Sequence, residues 1–420
     1  MFFRERYSLV LLFIFFCTGA YADTGQTLTL QEAETLALAT DPGSRRFQSL
    51  AMSMQENSVA VRQLPDPKLN FGMMNFPTDT FNRDQEPMTQ IQLGVQQMFP
   101  RGDSLKIKSK KSVIMAQAHG HRAQNRQRMI LKKVRQKWLE LYYWNQAEDL
   151  VRKNRKSFEQ LVEVAQLHYA SGRRNQQDVI LAHVELSRLD DRVLDIKTRQ
   201  EKVRAELAVL IGKKSDSINL PESLPILNTK SNIDEIESDL ANHPKVLIAK
   251  AQVESGKQDV ALAREGYKPG WGLGVKYGVR DGQNPNGSDR PDFLSVGVTM
   301  DLPLFKEKRQ DRKLKASQHK LGANREVLDQ QFLDLRQILR KDFADWLRLD
   351  ERVDFYKDTL IPQVRQNTEA ALFAYQNDRA DFSTVMKARI TELNTQLKSI
   401  RMHVDRSKAE ARLLYISGEE

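Results

Sequence analysis

The chain has 420 residues, 40% hydrophobic and 29% charged, with 65 basic against 55 acidic side chains and a net charge of +10. A mean hydropathy of -0.57 argues against large packed cores; it suits long helices that bury a narrow stripe and leave the rest wet. The basic excess does not point to nucleic acid, because the cations are interspersed with acids, and Cys17 is the only cysteine.

Arg4 and Arg6 precede an apolar run from Leu9 to Phe16, and Ala20-Tyr21-Ala22 follows at the spacing of a signal-peptidase site, so residues 1–22 are expected to be a signal peptide. An uncleaved anchor needs about 20 apolar residues, and this run is shorter. Phe15 and Phe16 stand before Cys17 where a lipoprotein signal requires small residues. The mature chain is therefore expected to be cysteine-free, without disulfides or a thiol nucleophile.

Asp41-Pro42, a cap followed by proline in the first turn, opens a helix over 42–63 that stops at Pro65 and Pro67. Strands follow over 68–77 and 89–99, joined by the polar connector Thr78 to Pro87. In Gln90 to Gln96 the apolar residues fall on one face and glutamine or glycine on the other, whereas Leu69 to Phe76 alternates only weakly. Residues 104–170 contain no proline and one glycine, Gly120, which predicts a helix of about 100 Å. Ile130, Val134, Trp138 and Leu141 give it a packing stripe, and a further helix is expected over 175–211.

The second half repeats that order. His243-Pro244 opens a helix over 244–266, and strands follow over 270–280 and 292–302 around the connector Asp281 to Pro291. Trp271, Leu273, Val275, Tyr277 and Val279 alternate with glycine, lysine and arginine; Leu294, Val296, Val298, Met300 and Leu302 alternate with Ser295, Gly297, Thr299 and Asp301. A long helix over 306–375, interrupted only by Gly322 and Pro362, carries a stripe from Phe332, Leu335 and Leu339 to Val353 and Tyr356, and a last helix spans 381–416.

Aligning Leu93-Gly94-Val95 with Val296-Gly297-Val298 sets the offset at about 203 residues, and Tyr169 to Arg173 then pairs with Tyr375 to Arg379. Both strand pairs lead into basic helical stretches. The repeats are placed at 23–228 and 229–420. Each strand is about as long as a tilted bilayer crossing, no helical pattern offers a lid for the apolar faces, and four strands cannot close a barrel alone. Closure across several chains satisfies the edges, with Gln90, Gln92, Gln96, Lys276, Arg280, Thr299 and Asp301 facing a water-filled lumen. Phe76, Phe99, Trp271 and Phe305 suit interfacial girdles.

Enzyme chemistry finds no support. His119 and His121 point about 200° apart on a helix, and the glycines at 270, 272 and 274 alternate in a strand where a nucleotide loop would turn. Met73, Met74, Met88 and Met98 suit packing better than a soft-metal ladder. No catalytic residue, cofactor or metal site is predicted.

Across essentially the whole mature chain these patterns resemble the TolC family of outer-membrane efflux proteins. Leu28-Thr29-Leu30-Gln31-Glu32-Ala33 is similar to its opening helix, Asn242-His243-Pro244 with Ala251-Gln252-Val253 to the start of its second repeat, and Asp301-Leu302-Pro303-Leu304-Phe305 to its strand-to-helix junction. The resemblance implies an α+β membrane protein: a long antiparallel α-helical coiled-coil barrel plus four strands contributed to a trimeric, twelve-stranded transmembrane β-barrel. It implies a passive conduit in the outer membrane of a Gram-negative bacterium, embedded in outer-membrane lipid with a large periplasmic helical part. The implied partners are a periplasmic adaptor (membrane fusion) protein and an inner-membrane pump of the RND type. Pro65-Asp66-Pro67 and Gln97 to Gly102 resemble the heavy-metal branch, which implies metal ions or small toxic compounds as cargo.

The turns Tyr169 to Asp178 and Tyr375 to Asp381 then become the periplasmic tip, for docking or gating. Tyr169 and Gly172 keep the family's tyrosine-to-glycine spacing; Asp378 departs from it, although aspartate tolerates left-handed backbone. Thr384 and Lys387 stand where some members carry acids. If the turns meet, Arg173, Arg174 and Arg379 can pair with Asp378 and Asp381. The alternative is a periplasmic coiled-coil adaptor or scaffold without a channel, which would normally carry one main helical hairpin flanked by small β domains.

Overall fold

The computed structural model describes residues 27–229 and 232–418, so the predicted signal peptide lies outside the described residues. Helix α1 (Leu30–Thr40) opens with a capping box between Thr29 and Glu32, and α2 (Pro42–Ala60) starts where Asp41 Oδ2 accepts from the Ser44 N–H at 2.8 Å. Strands β1 (Lys68–Met74) and β2 (Gln90–Phe99) lead to α3 (Ser104–Ala170), 67 residues, and α4 (Gln176–Ile211), which ends on left-handed Gly212. A short α5 (Ile233–Asp239), unforeseen in the sequence, precedes α6 (Pro244–Glu265), whose cap is the imidazole Nδ1 of His243 accepting from the Lys245 N–H. Strands β3 (Trp271–Val279) and β4 (Phe293–Met300) follow.

The predicted helix over 306–375 is not continuous. It forms α7 (Gln310–Phe355), one π turn at Tyr356–Leu360, and α8 (Ile361–Gln376). Pro362 explains the break, because its ring has no N–H to donate and crowds the carbonyl one turn earlier; the wider π turn accommodates it. Helix α9 (Phe382–Ser417) returns alongside.

The four strands form one antiparallel sheet in the order β1-β2-β3-β4. Its register places Leu93 opposite Phe71 and Tyr277, Val95 opposite Leu69 and Val275, and Val275 opposite Val296. All the apolar strand residues so joined point to one face and are exposed there. The weakly alternating β1 belongs to it too: Leu69 and Phe71 are each 71% exposed.

Away from the sheet the helices bury narrow cores. In one, Trp138 on α3 is fully buried with Leu139, Leu207 and Ile211, and its indole N–H donates to the Leu28 carbonyl at 2.9 Å. A second gathers Ile236, Leu240, Leu335, Leu339 and Ile416; a third, toward the α3–α4 turn, contains Phe158, Leu161, Tyr375 and Phe382. Among the described residues no helix is long and apolar enough to cross a membrane.

Candidate functional site: the polar sheet face and the paired turns

Gln90, Gln92, Gln96, Lys276 and Thr299 occupy the sheet face opposite the apolar one, as strand alternation requires. Asp301 extends β4 with its N–H bonded to the Gly270 carbonyl at 2.8 Å. Arg280, one residue past β3, stacks its guanidinium 4.1 Å from the Phe293 ring centroid. This face is crowded. A Cβ at Gly94 would sit 2.7 Å from Lys276 Cγ, and one at Gly272 2.6 Å from the Met98 sulfur, so glycine makes room for the long side chain of the neighbouring strand. At one edge Phe99 stacks on its register partner Trp271 with ring centroids 4.1 Å apart; Phe305 is 85% exposed and Phe76 half-buried.

At the far end of the helices the two turns, more than 200 residues apart, come together. Their backbones match: the Gly172 N–H donates to the Tyr169 carbonyl and the Arg173 N–H to His168, while the Asp378 N–H donates to Tyr375 and the Arg379 N–H to Ala374. Asp378 has φ 57° where Gly172 has 71°, so aspartate adopts the left-handed conformation that glycine supplies in the first turn.

Arg174 is the joining cation. It pairs with Asp378 at 3.4 Å and Asp381 at 3.6 Å, donates to the Ala380 carbonyl at 3.1 Å, and lies over the Tyr375 ring. Tyr375 is fully buried, stacked on His168 and edge-on to Phe382. Burial holds the Asp178 carboxyl above its ordinary value; Arg174 opposes that shift and Asp381 adds to it. Tyr169, Arg173, Arg379, Thr384 and Lys387 are exposed around this joint. The sequence did not single out His168 or Phe382, whose aromatic character is common in helices; only the meeting of the turns gives them a place.

His119 and His121 do not converge: His119 Nδ1 lies beside Arg122 and His121 Nδ1 beside Gln124. Among the described residues no group of three or more histidine, cysteine or acidic side chains is arranged to hold a metal ion.

Residues 236–419 match the family model described as outer membrane efflux protein. No curated protein sequence matches the chain. Solved structures match it in fold. The outer-membrane channel OprN aligns over 93% of this chain and 90% of its own at 16% identity and TM-score 0.78. VceC from Vibrio cholerae aligns over 93% and 96% at 16% identity and TM-score 0.77, and the open state of MtrE from Neisseria gonorrhoeae over 93% and 88% at 14% identity and TM-score 0.74. Residues 236–419 thus match the outer membrane efflux protein model, and along nearly its whole length the chain shares its fold with solved outer-membrane channels.

Proposed function

We propose that this chain is the outer-membrane channel subunit of a tripartite efflux system, a passive conduit in a Gram-negative bacterium. The observation that carries the proposal is the sheet, apolar and exposed on one face, polar on the other, with unpaired edges at β1 and β4. In water such a face and such edges invite aggregation; in lipid they are what a barrel staves with. Three copies would close twelve strands, and a cyclic assembly pairs every β1 with a neighbour's β4. On this reading the chain is an internal two-fold repeat whose halves each supply one hairpin and one long helical pair. The paired turns form the periplasmic tip, to be met by a periplasmic adaptor fed by an inner-membrane pump of the RND type. Cargo of metal ions or small toxic compounds follows from the resemblance of the junction motifs.

An adaptor without a channel is disfavoured by the same sheet, since its exposed apolar face would have nothing to cover it. Membrane fractionation separates the two. A channel subunit sediments with the outer membrane, needs detergent for extraction and runs as a trimer. Recovery as a soluble periplasmic species after removal of any anchor would support the adaptor.

A further inference from the structure

Beneath the sheet, where strands give way to helices, the polar face runs on into a cavity. Asp301 follows Ser295, Gly297 and Thr299 on that face, and Arg101 reaches it with Nη2 3.3 Å from Oδ2. Gly270 keeps the parity of Gly272 and Gly274, and a Cβ there would lie 3.3 Å from Arg101 Cγ. Arg101 therefore stands on the side of the polar strand residues, away from the apolar face. From it a cavity of about 680 Å³ extends between α3, α6 and α7.

Its lining is strongly basic. Arg101, Lys111, Arg309, Lys313 and Lys320 face Asp259 as the one carboxylate in the wall. Asp259 is already engaged by Lys111, with Lys320 3.8 Å away. Among the described residues no carboxylate pairs with Arg309 or Lys313, which are exposed. The same wall holds Gln310, 6% exposed, whose Oε1 has no hydrogen-bond partner. An unpaired buried amide oxygen is costly, so this atom calls for a donor from whatever fills the cavity. Cations alone would accept any anion. Cations around an orphaned acceptor select one that keeps an O–H beside its charged oxygens.

We propose that this cavity is an anion-binding station at the neck of the conduit, taking small oxyanions that retain a hydroxyl, of which hydrogenphosphate is the simplest. Its place in a conduit rests on the efflux-channel reading; the site itself rests on Arg309, Lys313 and Gln310. In a trimer the station recurs three times around the neck and favours anions over cations there.

The test uses the full-length protein in planar bilayers of neutral phosphatidylcholine under a tenfold potassium chloride gradient, with inorganic phosphate at pH 7.5 as the probe. The wild type should show an anion-selective reversal potential and a conductance reduced by phosphate. R309Q/K313Q should move the reversal potential toward cations and weaken phosphate block about thirtyfold, roughly fivefold for each near-contact unit charge in water. The conservative pair R309K/K313R should keep both, and Gln310→Leu should weaken block while leaving the reversal potential in place. Unchanged selectivity and unchanged block in R309Q/K313Q, with wild-type conductance, would overturn the station. If no conductance appears at all, it is the channel reading that fails. Phosphate titration calorimetry on the detergent-solubilised protein then decides the site: binding lost in R309Q/K313Q supports it, and absence of binding, or binding only when anionic phospholipid is present, overturns it.

Discussion

Arg174 Nη2 stands 3.4 Å from Asp378 Oδ1, so a side chain of the first turn is anchored on the left-handed residue of the second. The relationship puts the joint between the turns on one cation. If three such joints ring the tunnel mouth, bridges of about 0.2 to 1 kcal/mol each add up to a modest bias toward the closed arrangement. Arg174→Glu should raise the conductance of the isolated channel, most at low salt where repulsion from Asp378 and Asp381 is least screened. Arg379→Glu should do less, because Arg174 makes both bonds. Equal single-channel currents in wild type and Arg174→Glu would place the constriction elsewhere.

The apolar sheet face gives a prediction about insertion. Val298 is 66% exposed between Val296 and Met300, and Leu273 is its register partner. Val298→Arg, facing lipid near mid-bilayer, should cost roughly 2 to 4 kcal/mol and deplete the assembled outer-membrane form on immunoblots. Thr299→Arg on the opposite face should be tolerated. A cysteine at Val298 that reacts with water-soluble reagents while one at Thr299 does not would reverse the register.

Asp41 couples a helix cap to an ion pair. Its carboxylate accepts from Ser44 N–H and pairs with Arg126 at 2.7 Å, and that hydrogen bond holds the Asp41 carboxyl below its ordinary value of 3.8 despite burial. A lowered folded-state value means the contribution is complete above 3.8 and disappears as pH falls through the lower one. Asp41→Ala should destabilise by about 1 to 3 kcal/mol at pH 7, and the gap in thermal midpoint from wild type should narrow below pH 4. A gap independent of pH would show that the charge contributes nothing.

Trp138 tests the helical core. It is fully buried and its indole N–H satisfies the Leu28 carbonyl, so Trp138→Ala should cost about 3 to 5 kcal/mol and Trp138→Phe about 1 to 3. Thermal unfolding in detergent reads both; equal losses would mean that packing of the ring adds nothing to the lost hydrogen bond.

The elements were legible where one residue type decides locally. Asp41-Pro42 and His243-Pro244 announced their helices because capping is settled within four residues, and β3 announced its faces because every second residue is apolar. What the sequence withheld depends on distant partners. The pairing of β2 with β3 joins Val95 to Val275 across α3, α4, α5 and α6, and no local signal carries it. Leu69, Phe71 and Met73 of β1 share the apolar face, although the apolar Met74 at the opposite parity blurs the alternation. Pro362 was visible, but its accommodation by a π turn was not. At the tip the sequence supplied three arginines and no way to choose among them; the turn geometry selects Arg174. The basic neck was readable only as charge after each strand pair, since Gln310 gains meaning from the wall it shares with Arg309 and Lys313.

The most direct test of the central claim is single-channel recording from the purified full-length protein in planar lipid bilayers, beside chemical cross-linking of the same preparation. A trimeric efflux channel predicts discrete current steps of one size and cross-linked products ending at three chains. A preparation that stays monomeric without detergent and passes no current would contradict it.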